Sequence, residues 1–203
     1  MKIFYLFSLL TVFAFLSCNK DDNNVTTVRS TTIKNLAADP TTGFDPTTGA
    51  PVGDKKIFTF FRLSDSAIVD HADSATTKWD IGFRANKIII NSGISGPGQA
   101  GAFIYNGLFS DLKSVPADSV FKTDTNTALA IGSSWSTYNP ATMIVSPTPG
   151  KVLVLRTADG KYAKMEILSY YKNAPVSPNA FQDEARYYTY RYSYQADGSK
   201  KFE

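Results

Sequence analysis

Few side chains in this 203-residue chain are equipped for chemistry, and they stand far apart. The single histidine, His71, sits among Asp70, Asp73 and Ser74. No second histidine or cysteine lies near it, so the pattern predicts an exposed loop and not a metal site. The single cysteine, Cys18, has no partner for an internal disulfide. Asp39 and Asp45 head a near-repeat, Asp39-Pro40-Thr41-Thr42-Gly43 and Asp45-Pro46-Thr47-Thr48-Gly49, whose spacing matches no EF-hand. No pair of carboxylates on adjoining motifs offers a general acid and base, which predicts a binder and not an enzyme. The formal charge of +3 is too small and scattered for a nucleic-acid face, and Lys200-Lys201 reads as a solvated tail.

Two thioethers lie in the body of the chain. Met165 shares a strand face with Ala163 and Ile167 and is expected in the core, whereas Met143 follows the turn at Asn139-Pro140. A glycine-dense stretch, residues 92–101, invites a phosphate-loop reading. That loop needs a helix N-terminus behind it, and here the strand-like Ala102-Phe103-Ile104-Tyr105 follows, without a Gly-Lys-Ser/Thr ending. Nucleotide binding is rejected, and the glycines are read as a shaped loop where side chains would clash.

The elements that must hold these residues are strands. The chain has 14 Phe and 11 Tyr, and no long segment keeps a helical period between caps. The central feature is Lys151–Tyr171. Val152 to Leu155 form an apolar run, Asp159-Gly160 make a hairpin turn, and the return arm alternates Tyr162, Lys164, Glu166 against Ala163, Met165, Ile167. The first arm, apolar on both faces, is expected to lie deeper.

Other strands are expected at Lys55–Leu63, pairing with Trp79–Arg84, and at Lys87–Asn91, Trp135–Tyr138 and Thr142–Val145. In Trp79–Arg84 the alternation turns Trp79, Ile81 and Phe83 inward and leaves Asp80 and Arg84 at the other face. The last strand, Arg186–Tyr194, puts Tyr188, Tyr190, Tyr192 and Tyr194 on one face, expected to cover a core more than to stack on a flat ligand.

The N-terminus reads separately. Residues 1–17 place Lys2 before a dense apolar stretch too short to span a bilayer comfortably, which fits a secretory signal peptide. Cys18 after Phe15-Leu16-Ser17 resembles the lipobox of bacterial lipoproteins, which implies acylation of Cys18. The Lys20-Asp21-Asp22 run resembles the signal that sends some Gram-negative lipoproteins to the outer face of the outer membrane. Residues 18–52 are read as a tether, within which Val25–Leu36 could add one strand, and residues 53–203 as one domain.

Taken in succession, IFTFFRLSD, TTKWDIGFR, NSGISGPGQAGAF, GKVLVLRTADGKYAKMEILSYY and RYYTYRYSY resemble the HmuY family of bacterial haem-binding lipoproteins. The resemblance implies an all-β, antiparallel single domain gripping its ligand at one end with long loops, a lipid anchor at the cell surface, and haem capture for a TonB-dependent outer-membrane receptor. Haem-binding members place two axial ligands, His or Met, before the central hairpin. Here the region between Val115-Pro116 and Trp135 is shortened and holds neither. The second position falls between Tyr138 and Ile144, where Asn139 or Met143 could stand, and Met143 alone has a soft sulfur for haem iron. Two expectations follow. One is a haemophore-like protein holding haem through Met143, with Tyr138 and Asn139 beside it. The other keeps fold and anchor but takes another small ligand or a partner protein.

Overall fold

The computed structural model describes residues 28–203, and the expected signal peptide and Cys18 lie outside them. Among the described residues, thirteen strands run as β1 (Arg29–Ala37), β2 (Gly43–Phe44), β3 (Pro51–Val52), β4 (Thr59–Arg62), β5 (Ala67–Val69), β6 (Ile81–Arg84), β7 (Lys87–Ile90), β8 (Gly101–Asn106), β9 (Ser136–Asn139), β10 (Ile144–Pro147), β11 (Lys151–Arg156), β12 (Tyr162–Tyr171) and β13 (Ala185–Gln195). The one helical turn is a short 3-10 segment at His71–Asp73. The class is all-β and antiparallel, as expected. The strands divide into a five-stranded sheet, β1-β13-β12-β11-β8, a four-stranded sheet, β5-β4-β6-β7, and two small hairpins, β2-β3 and β9-β10. No described helix is long and apolar enough to cross a membrane.

The central hairpin is β11 with β12, in the register Leu153↔Met165 and Leu155↔Ala163. Its depth follows from its pattern. Leu153 and Leu155 join the core between the two large sheets, while Val152 and Val154 face a second cluster with Leu112, Val115 and Phe202 on the outside. A strand covered on both faces must be apolar on both. The tyrosine stripe is core, as expected: Tyr188, Tyr190 and Tyr192 are wholly buried. Tyr190 stacks on Phe83 with ring centroids 5.4 Å apart, and Phe61 meets its edge at 5.8 Å. Phe61 and Phe83 belong to the paired strands β4 and β6, in the register Phe61↔Ile81 and Thr59↔Phe83. Met165 is buried in the same core.

The sheet starts inside the stretch read as tether, because β1 pairs with β13 from Arg29↔Tyr194 to Ala37↔Tyr187 and closes the edge of the five-stranded sheet. Leu36 and Ile33 join β1 to the core, and the rest of the strand is held by backbone pairing and by side chains such as Ser30, bonded to Ser193 at 2.8 Å. This is the strand foreseen within Val25–Leu36.

Asp80, which alternation leaves on the face opposite Trp79 and Ile81, is only 8% exposed. Its Oδ2 accepts the Leu63 N–H at 2.8 Å and its Oδ1 the Ala158 N–H at 2.9 Å. The carboxylate ties the end of β4 to the turn of the central hairpin. Burial raises its pKa, against the pull of the two backbone donors.

Lys164, expected on a half-exposed face, is likewise buried. Its Nζ donates to the Phe109 and Leu112 carbonyls at 2.7 and 2.8 Å and lies 4.4 Å from the Phe109 ring centre. Desolvation lowers its pKa. The glycine loop behaves as read. A Cβ on Gly96 would stand 2.2 Å from Asn91 Oδ1, and Gly93 (φ +60) backs onto the Asp124 carbonyl.

Candidate functional site

Met143 and Tyr138 belong to one hairpin. β9 and β10 pair as Asn139↔Ile144 and Tyr138↔Val145, which leaves residues 140–143 as the connecting turn. Pro140 fixes one backbone angle, and Asn139 Oδ1 accepts the Ala141 N–H at 3.0 Å, an Asx turn. Met143 closes the turn at φ 56, a conformation uncommon outside glycine. The hairpin is fastened to the body where the Val145 N–H donates to the Tyr171 hydroxyl at 3.1 Å. Burial raises the pKa of that tyrosine.

Beside the hairpin lies a cavity of about 510 Å³. Its walls come from three places: Phe44 on β2, Tyr138 and Met143 on the β9-β10 hairpin, and Phe181, Arg186 and Tyr187 from the end of the chain. Tyr138 and Met143 are 55% and 46% exposed, so both reach solvent. Large aromatic side chains beside charged and polar groups (Arg186, Asp183, Glu184, Gln182) suit a flat ligand with a polar edge.

The β2-β3 hairpin is shaped by the second near-repeat, where Asp45 Oδ1 accepts the Thr47 and Thr48 N–H groups at 2.9 and 2.8 Å. These bonds, led by the Thr48 backbone, lower the Asp45 pKa. In the first copy the Asp39 carboxylate instead takes the Lys55 N–H at 2.8 Å, so the two copies do different work.

Arg186 is the charged group set deepest in the wall, its side chain 16% exposed. Its Nη1 donates to the Asp39 carbonyl at 2.9 Å and to Asp54 Oδ2 at 3.2 Å. Burial raises the Tyr170 pKa strongly, opposed by the charge of Arg186 beside it. Glu184, also lining the cavity, pairs with Lys172 at 2.6 Å.

Of the residues singled out from sequence, the structure brings Met143 and Tyr138 together on this wall. Asn139 adjoins them but does not line the cavity, its carbonyl oxygen spent on the turn. His71 lies elsewhere, 5.7 Å from the Phe60 ring in a stacked pair. Met165 is in the core. Among the described residues no second methionine, histidine or cysteine lines the cavity. Sequence reasoning missed Phe44, Phe181, Arg186 and Tyr187. The available signal for Phe44 and Phe181 was large aromatics inside turn-rich stretches with no alternation to bury them.

No family model matches this chain, and no curated protein matches it. Solved structures do resemble it. A protein of Bacteroides fragilis NCTC 9343, named as a candidate lipoprotein, aligns at 14% identity with a TM-score of 0.51, covering 86% of this chain and 94% of its own. The apo HmuY analogue of Tannerella forsythia aligns at 17% identity and a TM-score of 0.49, over 87% of this chain and 100% of its own. A Bacteroides vulgatus ATCC 8482 protein, named as a candidate HmuY-like haem-binding protein, aligns at 15% identity and 0.49, over 85% and 94%. The likeness to the Bacteroides fragilis protein is one of fold: this chain shares its all-β architecture.

Proposed function

We propose that this chain is a surface lipoprotein, anchored through acylated Cys18 at the outer membrane, that captures haem in the cavity beside the β9-β10 hairpin for a TonB-dependent receptor. Met143 is the axial ligand in this reading. Tyr138 and the other aromatic residues of the wall pack on the macrocycle. The observation that carries it is the placement of Met143. It is the one solvent-reaching thioether among the described residues, and it stands on the wall of an aromatic cavity at one end of the domain. Thioether sulfur is a soft donor suited to haem iron. The resemblance in motif order to HmuY-like proteins, and the fold likeness to a candidate lipoprotein, support the same reading.

One observation favours a second reading, in which the same cavity takes another flat ligand. The resemblance implies two axial ligands of the His or Met type, and among the described residues no second His or Met lines the cavity. Haemin titration of the chain from residue 19, followed by visible absorption in both oxidation states, separates the two. A saturable Soret shift lost in Met143→Ala establishes haem held by that sulfur. A shift that survives the substitution moves the iron elsewhere. No shift removes the haem reading and leaves a binder of another ligand.

A further inference from the structure

Residues 174–183 form the outer wall of the cavity, and the way they are held differs from the rest of the domain. Their hydrogen bonds are internal: the Phe181 N–H to Asn179 Oδ1 at 2.9 Å, the Asp183 N–H to the Asn179 carbonyl at 2.9 Å, and the Asn179 N–H to Asp183 Oδ2 at 2.7 Å. Only at the base is there a link outward, where the Ala174 N–H reaches the Tyr171 carbonyl at 3.0 Å. The ends just outside are pinned. Asn173 exchanges two bonds with the Asn35 side chain, at 2.7 and 3.0 Å, and the Arg186 carbonyl accepts the Ala38 N–H at 2.8 Å. Between them Lys172 and Glu184 clasp across the neck by an ion pair and by the Lys172 N–H to Glu184 carbonyl bond at 2.9 Å.

The neck also carries positive φ angles on residues that are not glycine: Asn173 at 61, Ala174 at 48 and Arg186 at 70. Such angles are sparsely populated for Ala and Arg and persist where surrounding structure imposes them. Turning points of moving loops are drawn from element ends of this kind.

The segment separates two spaces. Ala180 and Phe181 line the 510 Å³ cavity and also a second one of about 330 Å³, whose far side is Thr142 and Ile144 on the hairpin that carries Met143. Phe181 is 75% exposed, a large apolar side chain with little to pack on.

We propose that residues 174–183 are a flap that swings about Asn173-Ala174, and that Phe181 is a ligand-contacting residue. Lifting the flap joins the two cavities into one wide enough to admit a large planar ligand, and closing it lays Phe181 on that ligand. Its outer part, residues 179–183, moves as a unit because its hydrogen bonds are its own. This deepens the reading of the cavity as the ligand site and rests on it.

The test uses paired spin labels. In the chain from residue 18 with Cys18→Ser, cysteines replace Val176, fully exposed on the flap, and Ile68, exposed on β5 of the four-stranded sheet. The distance distribution is measured in the apo protein and with gallium protoporphyrin, which carries no unpaired electron. Two separations in the apo protein, collapsing to one on saturation, are the expected result. One narrow separation that the porphyrin leaves unchanged overturns the flap. Two apo separations with no porphyrin binding leave the flap standing and remove the porphyrin reading instead. A bound porphyrin that leaves both separations populated also overturns it, since closure is then uncoupled from the ligand.

Discussion

Two neighbouring core tyrosines should respond to the same substitution with opposite sign. Tyr190 is wholly buried, and its hydroxyl has no hydrogen-bond partner. A buried hydroxyl without a partner costs about 1–3 kcal/mol relative to water. Tyr190→Phe removes the oxygen and keeps the ring stacked on Phe83, so the variant should be more stable by about 1–2 kcal/mol after a small packing loss.

For a domain of this size that is a rise in Tm of about 2–8 °C. Tyr188 is equally buried, but its hydroxyl donates to the Ala85 carbonyl at 2.8 Å. Tyr188→Phe strands that carbonyl and should cost about 1–2 kcal/mol.

The pH dependence gives a second handle. Burial raises the Tyr190 pKa well above 10 and that of Tyr194 to about 12. The folded state therefore keeps protons that the unfolded chain releases from pH 10 upward, so stability is lost as pH rises through that point. Tyr190→Phe lacks one such loss, and its advantage should widen above pH 10. Urea unfolding followed by fluorescence, at pH 7 and pH 10.5, measures both effects. Equal destabilisation by the two substitutions at pH 7 would refute the argument that partnering of the hydroxyl decides the sign.

Two further substitutions probe the polar staples. Asp80→Asn turns one acceptor oxygen into an N–H-bearing group facing a backbone N–H, either that of Leu63 or that of Ala158. The expected loss is about 2–4 kcal/mol in urea unfolding, and an unchanged midpoint would show that the carboxylate does not tie the two elements. Lys164→Ala removes two bonds to carbonyls and the ammonium's contacts with the Phe109 and Phe202 rings, with an expected cost of about 2–4 kcal/mol. Thermal melting checks it, and a loss under 1 kcal/mol would mean that the Phe109–Leu112 segment finds its place without the ammonium.

How much could be read from the sequence depended on the distance over which each arrangement is decided. The central hairpin, the β4-β6 pair and the tyrosine stripe were legible because period-two alternation fixes a strand's faces locally, and Phe61, Phe83 and Tyr190 could meet only if those faces pointed at one another. Met143 and Tyr138 were legible as neighbours for the same reason, since one hairpin carries both. Asp80 was not. Alternation placed it opposite Trp79 and Ile81, but what lies on that side depends on where the turn of the central hairpin, 78 residues later, arrives with its Ala158 N–H. A charged residue on a strand reads as solvent-facing until a distant donor turns it into a staple.

The remaining walls of the cavity fail in the same way, and more completely. Phe44 belongs to a two-residue strand, and Phe181 to a loop bonded outward only at its base. Arg186 reaches the site through a backbone angle that sequence gives no reason to expect of an arginine. None of them is placed by a local period. They come together because β13 runs beside β1, bringing the chain's last strand to its first, so that the loops flanking both meet the β9-β10 hairpin at one end of the sheet. The pairing of β1 with β13 is therefore the step that builds the cavity: Ile33 and Leu36 seat β1 on the core, and the rest of the ladder is backbone and small polar side chains such as Ser30 and Ser193.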